Sequence, residues 1–319
     1  MKNILRCLAL AAALAPLASS AQTFPSRPVR LMVPFPPGGA TDIVGRLVAA
    51  KMQDVWGQPV VIENKPGAGT VVGTEYVAKS APDGTTLGMV VTAYVINPSL
   101  RSDLPYNTLK DLTGVTQVSV QHLVMAAHPS LPANTIPELI ALAKKEPGKL
   151  AYATPGSGTA MHLSVELLKT TAGIELIHVP YKGGAAAQQD VMSGRVPILM
   201  DVLYAVQPLI KSGKIKVLAL LSPARAPESP EYPIVAESVP GVSALSLVGI
   251  VAPAATPRDL VNRISTDIAR AVKASDLTER MKQQGMEPIG STPEQFDALI
   301  RSEIEKWAKV VKASGAKVD

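Results

Sequence analysis

Four glycine-rich turns stand out in this chain: Gly38-Gly39, Gly67-Ala68-Gly69, Gly156-Ser157-Gly158 and Gly183-Gly184. Each follows a short apolar run and precedes residues at helical spacing. The chemistry this pattern offers is anion binding, because a helix N-terminus presents free backbone N–H groups and the positive end of the helix dipole. The stretches Val29 to Val44 (VRLMVPFPPGGATDIV) and Leu150 to Val165 (LAYATPGSGTAMHLSV) carry the first turn of each half, and Val60 to Gly73 and Leu176 to Val191 carry the second. Four helix ends in two matched halves imply an anion held between two lobes.

The side chains around these turns divide into candidates and competitors. Asp42, in the first turn of a helix, either steadies the dipole and organises the loop or reaches the ligand, and an anion set too near would be repelled. Thr41 reads as an N-cap, while Ser157 and Thr159 either cap their helix or hydrogen-bond the ligand. Lys65 is either a counter-charge or an exposed loop cation. Of Tyr181 and Lys182, the tyrosine is the better candidate, since a phenol packs on a ligand and donates a hydrogen bond. Asp201 ends the apolar run Val196 to Met200 and so lies at a strand C-terminus, where α/β proteins bind ligands; it would recognise an amine, a hydroxyl or water. His162 reads as a packed or surface histidine rather than a ligand contact. Thr92 and Asn97, after a third strand, are rim candidates.

Other chemistries lack their signatures. Gly156-Ser157-Gly158 has the wrong spacing for a nucleophile elbow, and no turn carries a P-loop or a complete dinucleotide fingerprint. The four histidines (His122, His128, His162, His178) are scattered without ligand spacing, so no metal and no other cofactor is expected. Lys2 and Arg6, the Ala/Leu-rich stretch from Cys7 to Leu17 and Ser19-Ser20-Ala21 read as a cleavable signal peptide over residues 1–21, with Gln22 the first mature residue. Its removal takes away the one cysteine, so neither disulfide nor thiolate chemistry is expected. Without Lys2 and Arg6 the 31 basic residues become 29, against 26 acidic, and only 4% of residues are aromatic. That balance argues against a nucleic-acid surface or a polybasic membrane patch.

Strands and helices must alternate to place the turns. Val29–Val33, Val60–Glu63 and Thr86–Val91 read as strands, and Ile43–Met52 as a helix from its apolar spacing. Thr135-Ile136-Pro137-Glu138 opens a further helix, stopped by Pro147-Gly148. Thr256-Pro257 and Thr292-Pro293 place a cap and an N1 proline before two late helices that read as packing elements. This is the pattern of parallel or mixed sheets covered by helices, in two domains. The similar segments Leu123–Pro132 and Val248–Pro257 are candidates for the two crossings between them. The expected division is 22–121 plus 251–319 for lobe one and 122–250 for lobe two, with hinge strands near 123–128 and 248–252.

The segments Pro34 to Asp42, Ile62 to Gly69, Tyr152 to Thr159 and Val179 to Gly184, in this order, resemble the Bug family, the solute-binding proteins of tripartite tricarboxylate transporters. The resemblance implies a non-enzymatic protein of the periplasm with the two-lobed type II binding-protein fold, each lobe a mixed sheet flanked by helices, the lobes joined by two hinge strands. It also implies a small carboxylate ligand, permease subunits as membrane partner and a monomeric state. Carried over to this chain, it points to Phe35, Gly38, Gly39 and Asp42 in lobe one and to Thr154, Ser157, Gly158 and Thr159 in lobe two. Backbone N–H groups of Gly38, Gly39, Ser157 and Gly158 would converge on one carboxylate. Thr70 departs from the family's third glycine-rich stretch and sets a branched hydroxyl residue where backbone is expected to approach ligand. An extracytoplasmic sensor partner of a signalling kinase is the alternative function.

Overall fold

The computed structural model describes residues 24–317 except 227, 228 and 284; the expected signal peptide lies outside the described residues. The strands are β1 (Val29–Val33), β2 (Val60–Asn64), β3 (Thr86–Val91), β4 (Leu112–Ala127), β5 (Ala151–Thr154), β6 (Ile177–Pro180), β7 (Ile198–Val202), β8 (Lys216–Leu220), β9 (Leu245–Pro253) and β10 (Met286–Pro288). The helices are α1 (Ala40–Trp56), α2 (Val71–Ala78), α3 (Ala93–Leu100), α4 (Ile136–Lys145), α5 (Ala160–Ala172), α6 (Gly184–Met192), α7 (Leu203–Lys211), α8 (Arg258–Val272), α9 (Ser275–Gln283) and α10 (Pro293–Ser314).

Two mixed sheets share one long strand. In the first, β2, β1 and β3 run parallel, and β9 then pairs antiparallel with β3 and with residues Leu112 to His122 of β4. In the second, β6, β5 and β7 run parallel, and β7 and β8 pair antiparallel with Leu123 to Ala127 of the same β4. Thus β4 changes sheet between His122 and Leu123. The strands buried on both faces, β3 among them, are continuous apolar runs rather than alternating ones, as helices on both sides demand.

Helix ends follow their local chemistry, with two departures from expectation. Thr135 and Thr292 cap α4 and α10 as expected, the second in a full capping box with Gln295. Thr41, expected to be a cap, instead lies inside α1: Gly39 is the N-cap and no side chain caps the helix. Chain direction explains this, because Gly39 already has extended backbone and helical geometry begins at Ala40. Thr256 likewise does not cap α8; Pro257 holds that place and the buried Thr256 hydroxyl has no partner. The late helices are packing elements. Phe296 of α10 lies so close to Gly249 of β9 that a Cβ there would stand 2.1 Å from its ring. The same helix packs on α3 and on α5, so it spans both halves.

Candidate functional site

The first turn of lobe one is locked from beneath. Strand pairing ends at Val33, ahead of Pro34; past Pro36 and Pro37, Gly38 takes φ +80, where a side chain would be strained, and the chain turns into α1. The Asp42 carboxylate, 1% exposed, accepts hydrogen bonds from the Gly38 amide (2.9 Å), Arg46 Nε (2.8 Å) and Nη2 (3.1 Å), and Asn64 Nδ2 (2.9 Å). Asn64 also donates to the Phe35 carbonyl at 2.9 Å. Burial opposes ionisation of Asp42, but the bonds from Arg46, Gly38 and Asn64 outweigh it and hold the carboxyl below its usual range. What remains for a ligand is the uncapped N-terminus of α1.

The first turn of lobe two is built on different chemistry. Thr159 caps α5, accepting from the His162 amide and donating to the Gly156 carbonyl at 2.8 Å. The Gly158 amide donates to His162 Nδ1 at 3.2 Å, which assigns the ring proton of the neutral imidazole to Nε2. His162 stacks on His178 (centroids 4.0 Å apart, planes 10° apart), and His178 stacks on Tyr152. Thr154 Oγ1 pairs with His178 Nε2 at 2.7 Å, and the Tyr152 hydroxyl donates to Glu166, which also receives Lys169. Burial pushes His178 down to about 3, assisted by His162 and Lys169, and burial likewise lowers His162 against the pull of Glu166. Both rings are therefore neutral at pH 7.

A cavity of about 550 Å³ lies between the two turns. From lobe one it is walled by Phe35 to Thr41, from lobe two by Thr159 to Met161 and by Lys182 to Ala186, and from the sheets by Thr92, Gln121, Asp201 and Ser246. Of the residues singled out in the sequence, Phe35, Gly38, Gly39, Thr92, Thr159 and Asp201 come together on this wall. Asp42, Thr154, Ser157 and Gly158 stand behind it or at its edge, organising the loops; the Ser157 carbonyl faces Gly69, where a Cβ would come within 3.2 Å. Two of the four amides expected to converge on the ligand, those of Gly38 and Gly158, are engaged inside their own loops. The amides open to a ligand are instead those of the first residues of α1 and α5.

The remaining candidates are sorted by side-chain direction. The Tyr181 hydroxyl donates to Asp190 at 2.7 Å outside the cavity, and burial with that bond pushes it up to about 12. Its neighbour Lys182 lines the cavity and, among the described residues, is the one Lys, Arg or His on the wall. Lys65 sits over the Tyr76 ring, 4.3 Å from its centroid, and Asn97 donates to the Gly69 carbonyl. The turn Gly67 to Thr70 does not reach the wall, and Thr70, at φ +81, is buried against Asn97. Asp201 accepts from Gln188 Nε2 (2.9 Å) and the Val202 amide (2.8 Å), and burial pushes its carboxyl up to about 6. It lies against Gly184 at the start of α6, where a Cβ would stand 2.8 Å from Oδ2. The second turn of lobe two is thus already faced by a carboxylate of the protein. Gln121, Gln188 and Ser246 were not singled out from the sequence; strand register alone brings Gln121 and Ser246 together as a pair.

The profile of the tripartite tricarboxylate transporter family receptor matches residues 44–316. The chain is 37% identical over 302 residues to the protein BugT of Bordetella pertussis, covering 94% of this chain and 93% of that one. Among solved structures, it is similar to Rpa4515 of R. palustris with adipate (34% identity, TM-score 0.89, 92% of this chain and all of the other). It is also similar to MatC of Rhodopseudomonas palustris with bound malate (30% identity, TM-score 0.85, 90% of this chain and all of the other).

Proposed function

This chain belongs to the tripartite tricarboxylate transporter receptor family, whose members are periplasmic solute-binding proteins and not enzymes, and on that basis we propose that it captures a small carboxylate between its lobes and delivers it to the membrane subunits of a tripartite tricarboxylate-type transporter. The observation that carries the reading is the opening of two helix N-termini, at Ala40 and Ala160, together with Lys182, onto one cavity. Two dipole ends and one ammonium neutralise an anion without requiring an arginine. The relatives that hold adipate and malate lend the same reading support.

In this reading Phe35, Gly39, Thr92, Thr159 and Asp201 contact the ligand or bound water and Lys182 supplies the counter-charge, while the Tyr181 hydroxyl stays bonded to Asp190. Gly38, Asp42, Thr154, Ser157 and Gly158 hold the two turns in position. Closure expels water, which strengthens the charge-assisted hydrogen bonds, and the ligand shifts the open and closed populations by its differential affinity. We place the division between lobes where β4 changes sheet, beside the 121/122 boundary read from the sequence. The return crossing then falls just ahead of β9, upstream of residues 248–252. The protein acts as a monomer, exported through residues 1–21.

The test is calorimetric titration of the protein beginning at Gln22 with mono-, di- and tricarboxylates, beside native mass spectrometry of any co-purified acid. Binding that weakens about 10-fold or more in Lys182→Gln supports the site, since a hydrogen bond to a charged group is worth roughly 1.5–3 kcal/mol. Failure of every acid to bind overturns it. Deletion of the gene distinguishes delivery from sensing: lost uptake of the acid supports delivery, and unchanged uptake with a lost transcriptional response supports the kinase-partner alternative.

A further inference from the structure

Asp201 and Gln121 form an end of the cavity that carboxylate binding leaves unused. Asp201 is 2% exposed, and its two oxygens receive one hydrogen bond each, from Gln188 and Val202. A carboxylate has about four acceptor positions, so this one is under-supplied with donors. Gln121, 3% exposed, lines the same cavity, and its Nε2 makes no hydrogen bond of normal geometry; nor does the hydroxyl of its neighbour Tyr204. The wall therefore holds a buried acceptor in want of a donor and, in Gln121, a buried amide whose Nε2 has the Tyr204 hydroxyl beside it at poor geometry. The intervening wall is apolar, with Val91, Ala93, Ala160, Met161, Val202 and Ala205.

We infer that Asp201, Gln188 and Gln121 form a subsite for a hydroxyl group, and that the preferred ligand is a monocarboxylate whose hydroxyl is set apart from its carboxylate by an apolar body. This rests on the carboxylate reading above and names the ligand class of that site. A hydroxyl donates to Asp201 and accepts from Gln121 through one oxygen. A second ligand carboxylate would meet the Asp201 carboxyl in a buried setting, where like charges disfavour each other. An ammonium would satisfy Asp201 but present a further donor to the Nε2 donor of Gln121. A methyl group would offer neither a partner, and a site built to hydrogen-bond a hydroxyl rejects the analogue that lacks it. Charge agrees: among the described residues Lys182 is the one cation on the wall and Asp201 the one carboxylate.

The experiment titrates the protein beginning at Gln22, at pH 7.5, with two matched series: hexanoate, 6-hydroxyhexanoate, 6-aminohexanoate and adipate; benzoate, 4-hydroxybenzoate, 4-aminobenzoate and terephthalate. In at least one series the hydroxy acid is expected to bind about 10-fold tighter than the unsubstituted acid, the amino acid and the diacid, as one buried hydrogen-bond pair predicts. Gln121→Met should cut that preference below about threefold, and Asp201→Asn should raise affinity for the diacid as the like charge is removed. Should either variant fail to fold, the series on the unaltered protein still decides. A diacid, amino acid or unsubstituted acid that binds tightest in both series overturns the subsite while leaving the carboxylate reading intact. If no acid of either series binds, the subsite falls, while the carboxylate reading is decided by the wider titration with mono-, di- and tricarboxylates.

Discussion

The two turns that face each other across the cavity have similar sequences and opposite supports. In lobe one the loop is clamped by a buried charge, Asp42, with a guanidinium, a side-chain amide and a backbone amide converging on it. In lobe two the loop rests on neutral stacked rings, His162 and His178, and on a threonine cap. The charged clamp consumes no amide of α1 beyond the turn itself, so that helix end stays uncapped; the lobe-two helix shares its end with its own cap. Equivalent motifs thus leave unequal numbers of free N–H groups at the two helix ends.

The largest break of this comparison is Asp42→Ala. It removes the buried acceptor of the Gly38 amide, the Arg46 guanidinium and the half-buried Asn64 amide, and about 3 kcal/mol of stability should be lost, with carboxylate affinity falling at least about 100-fold; denaturant unfolding and calorimetry read both. Retained affinity would show that the lobe-one turn does not depend on its clamp.

Acid should then separate the two lobes. His178 has its folded pKa pushed down to about 3 from an ordinary value near 6.5, so the stability tied to its neutral form is complete above about pH 6.5 and drains as pH falls toward 3. Fully realised, a shift of that size is worth roughly 5 kcal/mol. Asp42 is also depressed, so its contribution is present above the ordinary carboxylate range near 3.9 and is lost only below it. Hydrogen exchange at pH 5 should accordingly accelerate in α5 before α1, and His178→Gln should flatten the dependence between pH 6.5 and 4. Simultaneous loosening of both helices would contradict the contrast.

Two smaller changes sharpen it. Thr159→Ala removes the lobe-two cap and should cost about 1 kcal/mol, seen as a lowered unfolding midpoint. Gly39→Ser supplies the cap that lobe one lacks. The space allows it, the nearest atom to a Cβ there being the Pro36 carbonyl at 3.6 Å. Stability should rise by a few tenths of a kcal/mol while acid affinity drops several-fold, because the serine claims an amide otherwise open to the ligand. An unchanged affinity would remove the α1 end from the site.

Much of this fold was readable because proline and glycine mark its turns: each strand and helix anticipated between Val29 and Val91 is present, and Thr135 and Thr292 cap as their spacing predicts. The roles of side chains were less legible because they depend on what lies behind a turn. Arg46 stands four residues from Asp42, a visible helical spacing, yet Asn64, which completes the clamp, comes from another strand. The pairing of His162 with His178 joins a helix to a strand, and no local spacing announces it. Between Tyr181 and Lys182 the decision is a matter of direction, since adjacent residues after a strand point opposite ways. Thr41 and Thr256 show that a capping residue type does not fix where a helix begins.

The passage of β4 through both sheets bears on engineering. A chain divided near residue 122, the natural place to separate the halves into reporter fragments, would cut a continuous strand and leave each fragment with a raw pairing edge, an invitation to self-association. The loops at Gly148 and Gly213 hold left-handed glycines with open space around them and cross no sheet. A fluorescent domain inserted there would leave the shared strand whole, so that the two halves still report on each other through it.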